Sequence, residues 1–238
     1  MADRTVLRIG SWAAIVGALG AMIANVLHPR FDSFADPVTE EIRIAGESDM
    51  WVPIHVAILI SLALIAFGLF AVARSMKGGT GEGAARVALG GLLISTPIAL
   101  LGVAIDGYVP KAFADSIGTG AVDPAGGAAA AVHLGWAAFM ALVITFQGVT
   151  PALFGAAVVA DRTWPTWLGW GAIVVGLIAA IAGLIGLLDG ASAAFFLVFT
   201  ISAGILTLWV LALGVLLARR VRGVVDVPEA SERLSARA

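Results

Sequence analysis

Six long apolar stretches constrain the fold of this chain more than any other feature of its sequence. A helix of about 20 residues is about 30 Å long, which matches the hydrocarbon core of a bilayer. Lipid offers no partner to a backbone N–H or C=O group, and these stretches are continuously apolar rather than alternating, so they favour helices over a barrel. Charged residues make up 13% of the chain, about half their share in soluble domains. We therefore expect an all-α integral membrane protein whose helices form one bundle.

The apolar stretches predict six spans within a single transmembrane domain that covers residues 1–223. The predicted spans are 8–28, 50–74, 86–107, 127–160, 167–188 and 192–218. The fourth is too long for one straight crossing. Pro151 is expected to kink it, because a proline frees the carbonyl of the residue four positions earlier, here Gln147. The polar tail, residues 224–238, contains a proline and is predicted to be disordered.

Two connections are long enough to have structure of their own. In the first, Asp36 is expected to cap a short helix that begins at Pro37. The second, residues 108–126, is rich in Gly, Pro and Asp and is expected to be irregular.

Basic residues are distributed unevenly between the two sides of the predicted spans. With the N-terminus inside, the outer side holds Arg30, Arg43 and Lys111. The inner side holds Arg4, Arg8, Arg74, Lys77, Arg86, Arg162, Arg219, Arg220 and Arg222. Because Lys and Arg near span ends favour the cytoplasm, we expect both termini in the cytoplasm and the two long connections outside the plasma or inner membrane.

The chain has three histidines, and residue counting places all of them near the outer ends of spans. His28 follows Arg8 by 20 residues (28 − 8), and Asp106 follows Arg86 by 20 (106 − 86), which is about 30 Å at 1.5 Å per residue. The same counting places His55 near this level. His133 reaches it only if the kink expected at Pro151 shortens the height of the fourth span. The candidate ligands are the three histidines and the acids that end the third and fifth spans: His28, His55, His133, Asp106 and Asp189.

Imidazole and carboxylate groups together are typical ligands of divalent metals such as Zn, Cu, Mn or Fe. Zinc held by three protein ligands keeps a position for water, whose pKa falls to about 7. Four further residues are expected beside the ligands: Asn25, Asp49, Trp51 and Trp136. Asn25 lies one turn before His28 and is expected to orient it. Asp49 is expected to cap the second span, and the tryptophans to join the aromatic belt at the membrane boundary.

A purely structural explanation competes with this prediction. Polar residues collect at membrane boundaries because they cost least free energy there. An Asp-Gly pair after an apolar stretch, as in "LGVAIDG" and "LIGLLDG", also marks a helix end. Neither HExxH nor HxxxH occurs, so the metal site is predicted from placement alone. The clustering of every histidine at one level is the observation that favours it.

These residues leave several functions open. A metal-dependent membrane enzyme, either a hydrolase or an oxidoreductase acting on a lipid-like or small substrate, fits the predicted site best. A b-type haem protein would use His55 and His133 as axial ligands. A non-catalytic accessory subunit of a membrane complex, or a homo-oligomer, would need no site. A transporter is disfavoured, because no acid or base lies at mid-membrane.

Composition excludes other classes of function. The chain has no cysteine, which rules out thiolate metal sites and c-type haem. Its only lysines, Lys77 and Lys111, lie in predicted connections, so no retinal Schiff base is available. The sequence contains no basic stripe of the kind that indicates nucleic-acid binding.

Overall fold

The computed structural model describes residues 4–32, 37–118, 127–190 and 192–223. Within these ranges the chain is helical and contains no strand. The helices are α1 (Arg4–Leu27), α2 (Pro37–Glu47), α3 (Trp51–Ser75), α4 (Glu82–Gly118), α5 (Gly127–Leu142), α6 (Thr150–Ala160), α7 (Thr166–Asp189) and α8 (Ala193–Gly223), with a π-helical segment, Val143–Val149, between α5 and α6. Six helical stretches are long and apolar enough to cross a membrane, α5 to α6 counting as one. The prediction of an all-α chain with six membrane-length helices is confirmed.

The two ends of the bundle carry different side chains. We call the end that holds His28 and His55 the histidine end, and the end that holds Arg74 and Arg86 the arginine end. At the arginine end, the Thr80 hydroxyl donates to the carbonyl of Ala160 over 2.6 Å, which ties the α3–α4 connection to the end of α6. The predicted tail, residues 224–238, lies outside the described residues.

The prediction of an irregular second connection is wrong for residues 108–118, which continue α4. This extension is helical because α2 packs against it; a Cβ added to Gly46 of α2 would lie 3.0 Å from the Cβ of Ala114. Lys111 and Asp115 add an i,i+4 ion pair at 2.9 Å. Residues 119–126 lie outside the described residues.

The helix predicted to begin at Pro37 is α2, while its expected cap, Asp36, lies outside the described residues. Ile44 and Ala45 of α2 are buried against Trp51. On its exposed face, Arg43 pairs with acids one turn away on either side, Glu40 at 2.8 Å and Glu47 at 2.6 Å. The hydrogen bond from Arg43 lowers the pKa of Glu40 to about 2.

The distortion predicted in the fourth span takes the form of a π-helical segment directly before Pro151. Here the N–H of Thr150 donates to the carbonyl of Thr145, five residues earlier. The turn before the proline therefore contains one more residue than a turn of α-helix. The side-chain Oε1 of Gln147 is buried with no hydrogen-bond partner among the described residues.

Glycines at the helix interfaces let the backbones approach closely. A Cβ on Gly68 of α3 would lie 2.5 Å from the Cβ of Ala14 on α1, and one on Gly155 of α6 would lie 2.5 Å from the carbonyl oxygen of Gly169 on α7. Small residues at such crossings are typical of membrane helix pairs, whose association depends on packing. These contacts fix α1 to α3 and α6 to α7.

α8 closes the bundle without filling its centre. It packs closely on α1 and α7 but only sparsely on α3 and on the π-helical segment. A cavity of about 480 Å³ remains between these elements. Its upper wall, at the histidine end, includes His28, Trp51 and Asp106.

Candidate metal centre

His55 lies in the first turn and a half of α3, and its ring is 1% exposed. Nδ1 lies 2.7 Å from the carbonyl oxygen of Trp51, one turn earlier. A carbonyl oxygen only accepts hydrogen bonds, so the proton of the neutral ring belongs on Nδ1. Nε2 is then left with its lone pair, directed away from α3.

His28 directly follows the end of α1 and is oriented in the same way. Its Nδ1 lies 2.8 Å from the carbonyl oxygen of Pro29, which again assigns the proton to Nδ1 and the lone pair to Nε2. The two Nε2 atoms of His28 and His55 are 3.4 Å apart. Burial lowers the pKa of His28 below its ordinary 6.5, so the ring is neutral at pH 7.

Asp106 on α4 supplies the third electron-pair donor. Its Oδ2 lies 3.1 Å from Nε2 of His55, and the ligating atoms of His28, His55 and Asp106 all lie within 4.8 Å of one another. Pro110, four residues later and inside α4, cannot donate to the Asp106 carbonyl and disturbs the helix at this point. We call these three residues the ligand triad.

Gly107 is the residue that lets α3 and α4 meet at the ligand triad. A Cβ at this position would lie 2.5 Å from the Cβ of His55, closer than carbon atoms pack. The indole of Trp51 donates to the carbonyl oxygen of Gly107 over 2.9 Å, and its ring lies 4.6 Å from that of His55. Trp51 therefore holds both the backbone of α4 and the imidazole in place.

Two of the three distances within the ligand triad, both measured from Nε2 of His55, match those between ligands of one metal. Two atoms that are each about 2.1 Å from a metal lie about 3.0 Å apart at a right angle and about 3.4 Å apart at a tetrahedral angle. The observed separations are 3.1 Å and 3.4 Å. Three lone pairs that face one another repel unless they share a cation, either a metal ion or a proton. Two imidazoles and one carboxylate form a set that suits zinc or non-haem iron and leaves positions open.

Glu41 is a fourth polar residue of this region, and the sequence did not single it out. It lies on α2, is 4% exposed, and accepts a hydrogen bond of 2.7 Å from the indole N–H of Trp136. Burial, and secondarily the charge of Asp106, raise the pKa of Glu41 well above its ordinary value. A helical projection of α2 could have identified Glu41 as a buried residue, because it shares the buried face with Ile44 and Ala45.

The structure does not bring His133 or Asp189 to the ligand triad. His133 is exposed on α5 and lines a separate pocket with Gly186 and Gly190. Asp189 is exposed at the last position of α7, followed by Gly190 with a φ of 87°. Asp189 thus marks a helix end. His55 is 1% exposed within the ligand triad, whereas His133 is exposed on α5.

The four residues expected beside the ligands have different positions. Trp51 and Trp136 line the cavity beside the ligand triad. Asn25 also lines the cavity, and its backbone carbonyl accepts a hydrogen bond from Arg30. Asp49 is exposed and does not cap α3, whose N-cap is Met50 with no side-chain hydrogen bond.

Comparison of the chain with models of known families, with curated proteins and with solved structures gives no match. Inference about function therefore depends on the geometry of the ligand triad and its cavity.

Proposed function

We propose that this chain is a metal-dependent membrane enzyme in which the ligand triad binds one divalent cation, with Zn, Fe, Mn and Cu as the candidates, and acts on a lipid-like substrate. The observation that carries the proposal is the convergence of three lone pairs. Both Nδ1 atoms lie against backbone carbonyls, an arrangement typical of metal-binding histidines. The neutral Nε2 atoms and the carboxylate are thereby left to one shared cation.

The cation would supply Lewis acidity and an activated water or oxygen position at its open sites. Glu41 suits the role of proton carrier, because it is buried beside Asp106 and has a raised pKa. With a metal bound at the triad, a buried carboxyl beside Asp106 would favour hydrolysis. The same ligand set on iron would favour oxidation of the substrate, so the identity of the metal separates the two reactions.

The proposal includes an orientation. The excess of Lys and Arg at the arginine end supports a cytoplasmic location for both termini. The ligand triad then faces the outer side of the plasma or inner membrane. Reporter fusions after Arg74 and after Arg162 are expected to give cytoplasmic signals, and an external signal at either position would reverse this orientation.

Metal analysis of purified protein tests the proposal directly. Wild-type protein produced with Zn, Fe, Mn and Cu supplied is expected to hold about one metal ion per chain. His28→Gln and His55→Gln are each expected to lose most of it, since two remaining ligands bind metals weakly. His133→Gln is the matched control and is expected to retain the metal, because its ring is exposed in a different pocket.

Two results contradict the proposal. One is negligible metal in the wild-type protein at pH 7.5, which would favour a shared proton at the triad or a non-catalytic accessory role. The other is equal metal loss in the His133→Gln control. A visible spectrum of the same samples tests haem, because a Soret band abolished by His55→Gln would assign His55 to haem iron instead.

A further inference from the structure

The cavity extends from the ligand triad deep into the bundle, and its walls below the triad are mainly apolar. On α3 the lining residues recur at helical spacing: Ile58, Leu62, Ile65 and Leu69. Phe139 and Phe146 face them from the α5–π-helical side, and Phe196 and Phe199 from α8. Below the polar layer the polar side chains of the lining are Gln147, Thr200 and Thr207, and the rest of the wall is apolar. A polar layer above a mainly apolar wall is the feature of a site for an amphiphile.

The length of the cavity limits the chain that it holds. Leu69 lies 14 residues beyond His55 (69 − 55), which corresponds to about 21 Å along α3. An extended alkyl chain advances about 1.3 Å per carbon, given C–C bonds of about 1.5 Å. The apolar part therefore matches a chain of about 16 carbons.

The volume of the cavity is compatible with a chain of this length. A methylene group occupies about as much space as a water molecule, about 30 Å³. A chain of about 16 methylene groups therefore fits within the cavity of about 480 Å³.

The polar residues at the mouth select the head of this chain. Arg30, Ala193 and Leu197 line the cavity and are exposed, so the opening lies at the histidine end, between the residues after α1 and the start of α8. Arg30 is the only arginine or lysine that lines the cavity within the described part of the chain, and Glu41 and Asp106 are its acids. The raised pKa of Glu41 leaves Asp106 as the main negative charge. Arg30 together with a divalent cation at the ligand triad exceeds that charge and favours an anionic oxygen head such as a carboxylate.

We propose that the cavity binds a single-chain amphiphile of the fatty-acid class, with about 14 to 18 carbons and its head at the ligand triad. This inference rests on the proposed function, because the bound cation completes the recognition of the head. The chain enters from the mouth beside Arg30 and extends along α3 and α8 toward Leu69 and Val210.

Filling the cavity half-way down tests the inference. Ala203 of α8 lines the cavity and is 7% exposed; it lies seven residues beyond Phe196 (203 − 196), about 10 Å deeper. Phe196 packs against Trp136 at 5.5 Å, at the level of Glu41. Ala203→Trp therefore leaves space for about eight carbons. Ala63→Trp is the matched control, because Ala63 is exposed on α3.

The probe is hexadecanoic acid with a photoreactive diazirine near its methyl end, added to the metal-loaded protein, irradiated and mapped by mass spectrometry. Wild type and Ala63→Trp are expected to be labelled around Leu69 and Val210, and excess hexadecanoic acid should compete with the label. Labelling of Ala203→Trp around these residues is expected to be at least about five-fold weaker than that of the wild type. A matching eight-carbon probe is expected to bind all three proteins. If Ala203→Trp does not purify as a monodisperse protein, Leu62→Trp blocks the same level from α3.

The outcomes separate this inference from the proposed function. Label confined to lipid-facing residues such as Leu93 and Ile94, or equal deep labelling in wild type and Ala203→Trp, overturns the inference. Metal content of the same samples reports on the ligand triad alone. Retained metal without deep label means that only the chain-binding inference has failed, and deep label without metal means that only the metal site has failed.

Discussion

The substitution Gly107→Ala adds one methyl group at the contact between α3 and α4. The added Cβ would lie 2.5 Å from Cβ and 2.7 Å from Cγ of His55. Carbon atoms pack at about 3.5 Å or more, so the two must separate by about 1.0 Å. The atoms in contact are attached directly to their backbones, and a rotamer change of His55 cannot relieve the clash at Cβ. The helices themselves must move apart.

The displacement is large relative to what a metal site tolerates. The distance from Nε2 of His55 to Oδ2 of Asp106, now 3.1 Å, would grow by about the same 1 Å, whereas metal–ligand distances vary by about 0.2 Å. We expect metal affinity to fall about 10- to 100-fold, as for other changes that disturb the groups holding metal ligands. Overpacking should cost about 1–3 kcal/mol of stability, which leaves a folded protein.

The assay is a competition titration with a chromophoric chelator, performed on purified Gly107→Ala and on Gly90→Ala. Gly90 lies on the same helix, and a Cβ there meets no atom within 4 Å. That control is expected to bind metal like the wild type and to gain up to about 1 kcal/mol from the better helix former. An affinity of folded Gly107→Ala within about three-fold of the wild type would refute the claim that this crossing positions the ligand triad.

Two further predictions concern the acids. Asp106→Asn is expected to weaken metal binding by more than about ten-fold, while Asp189→Asn, at an exposed helix end, is expected to change it by less than about two-fold; the same titration compares them. In metal-free protein, the pKa of Glu41 is raised on folding, so the unfolded chain loses its proton first and stability falls as pH rises above about 4.5. Glu41→Gln should flatten this dependence, measured as the difference in Tm between pH 5 and pH 7 in EDTA, and an unchanged slope would contradict the assignment.

Residue counting placed His28, His55 and Asp106 at one level, and the structure brings these three together, but the counting contained no information about rotation around the helices. His28, His55 and Asp106 are at one level because each residue adds a fixed rise, and their side chains also point inward. On α5 the inward positions belong to Val132 and Trp136, and His133, one residue beyond Val132, is exposed. A rotation of about 100° per residue is enough to remove a ligand from a site.

The two Asp-Gly pairs show a second limit of local sequence patterns. "LLDG" ends α7 at Asp189, and Gly190 adopts a positive φ, as the pattern indicates. "AIDG" neither ends its helix nor contains a glycine with a positive φ. α4 continues for eleven residues beyond Gly107 (118 − 107). The difference comes from the packing of α2 on α4, a tertiary contact that no window around Asp106 contains.

The order of the ligand triad along the chain has a consequence for biosynthesis. All three ligands belong to the first 106 residues, on elements that contact one another in sequence, α1 with α3 and α3 with α4. The remaining 132 residues (238 − 106) take about 7–26 s to synthesise at about 5–20 residues per second. During this interval the triad can assemble in the membrane while α8, the wall that encloses the cavity, has not yet left the ribosome. The proposed metal would then reach its ligands from an open half-bundle, and the enclosure that α8 provides would be added last.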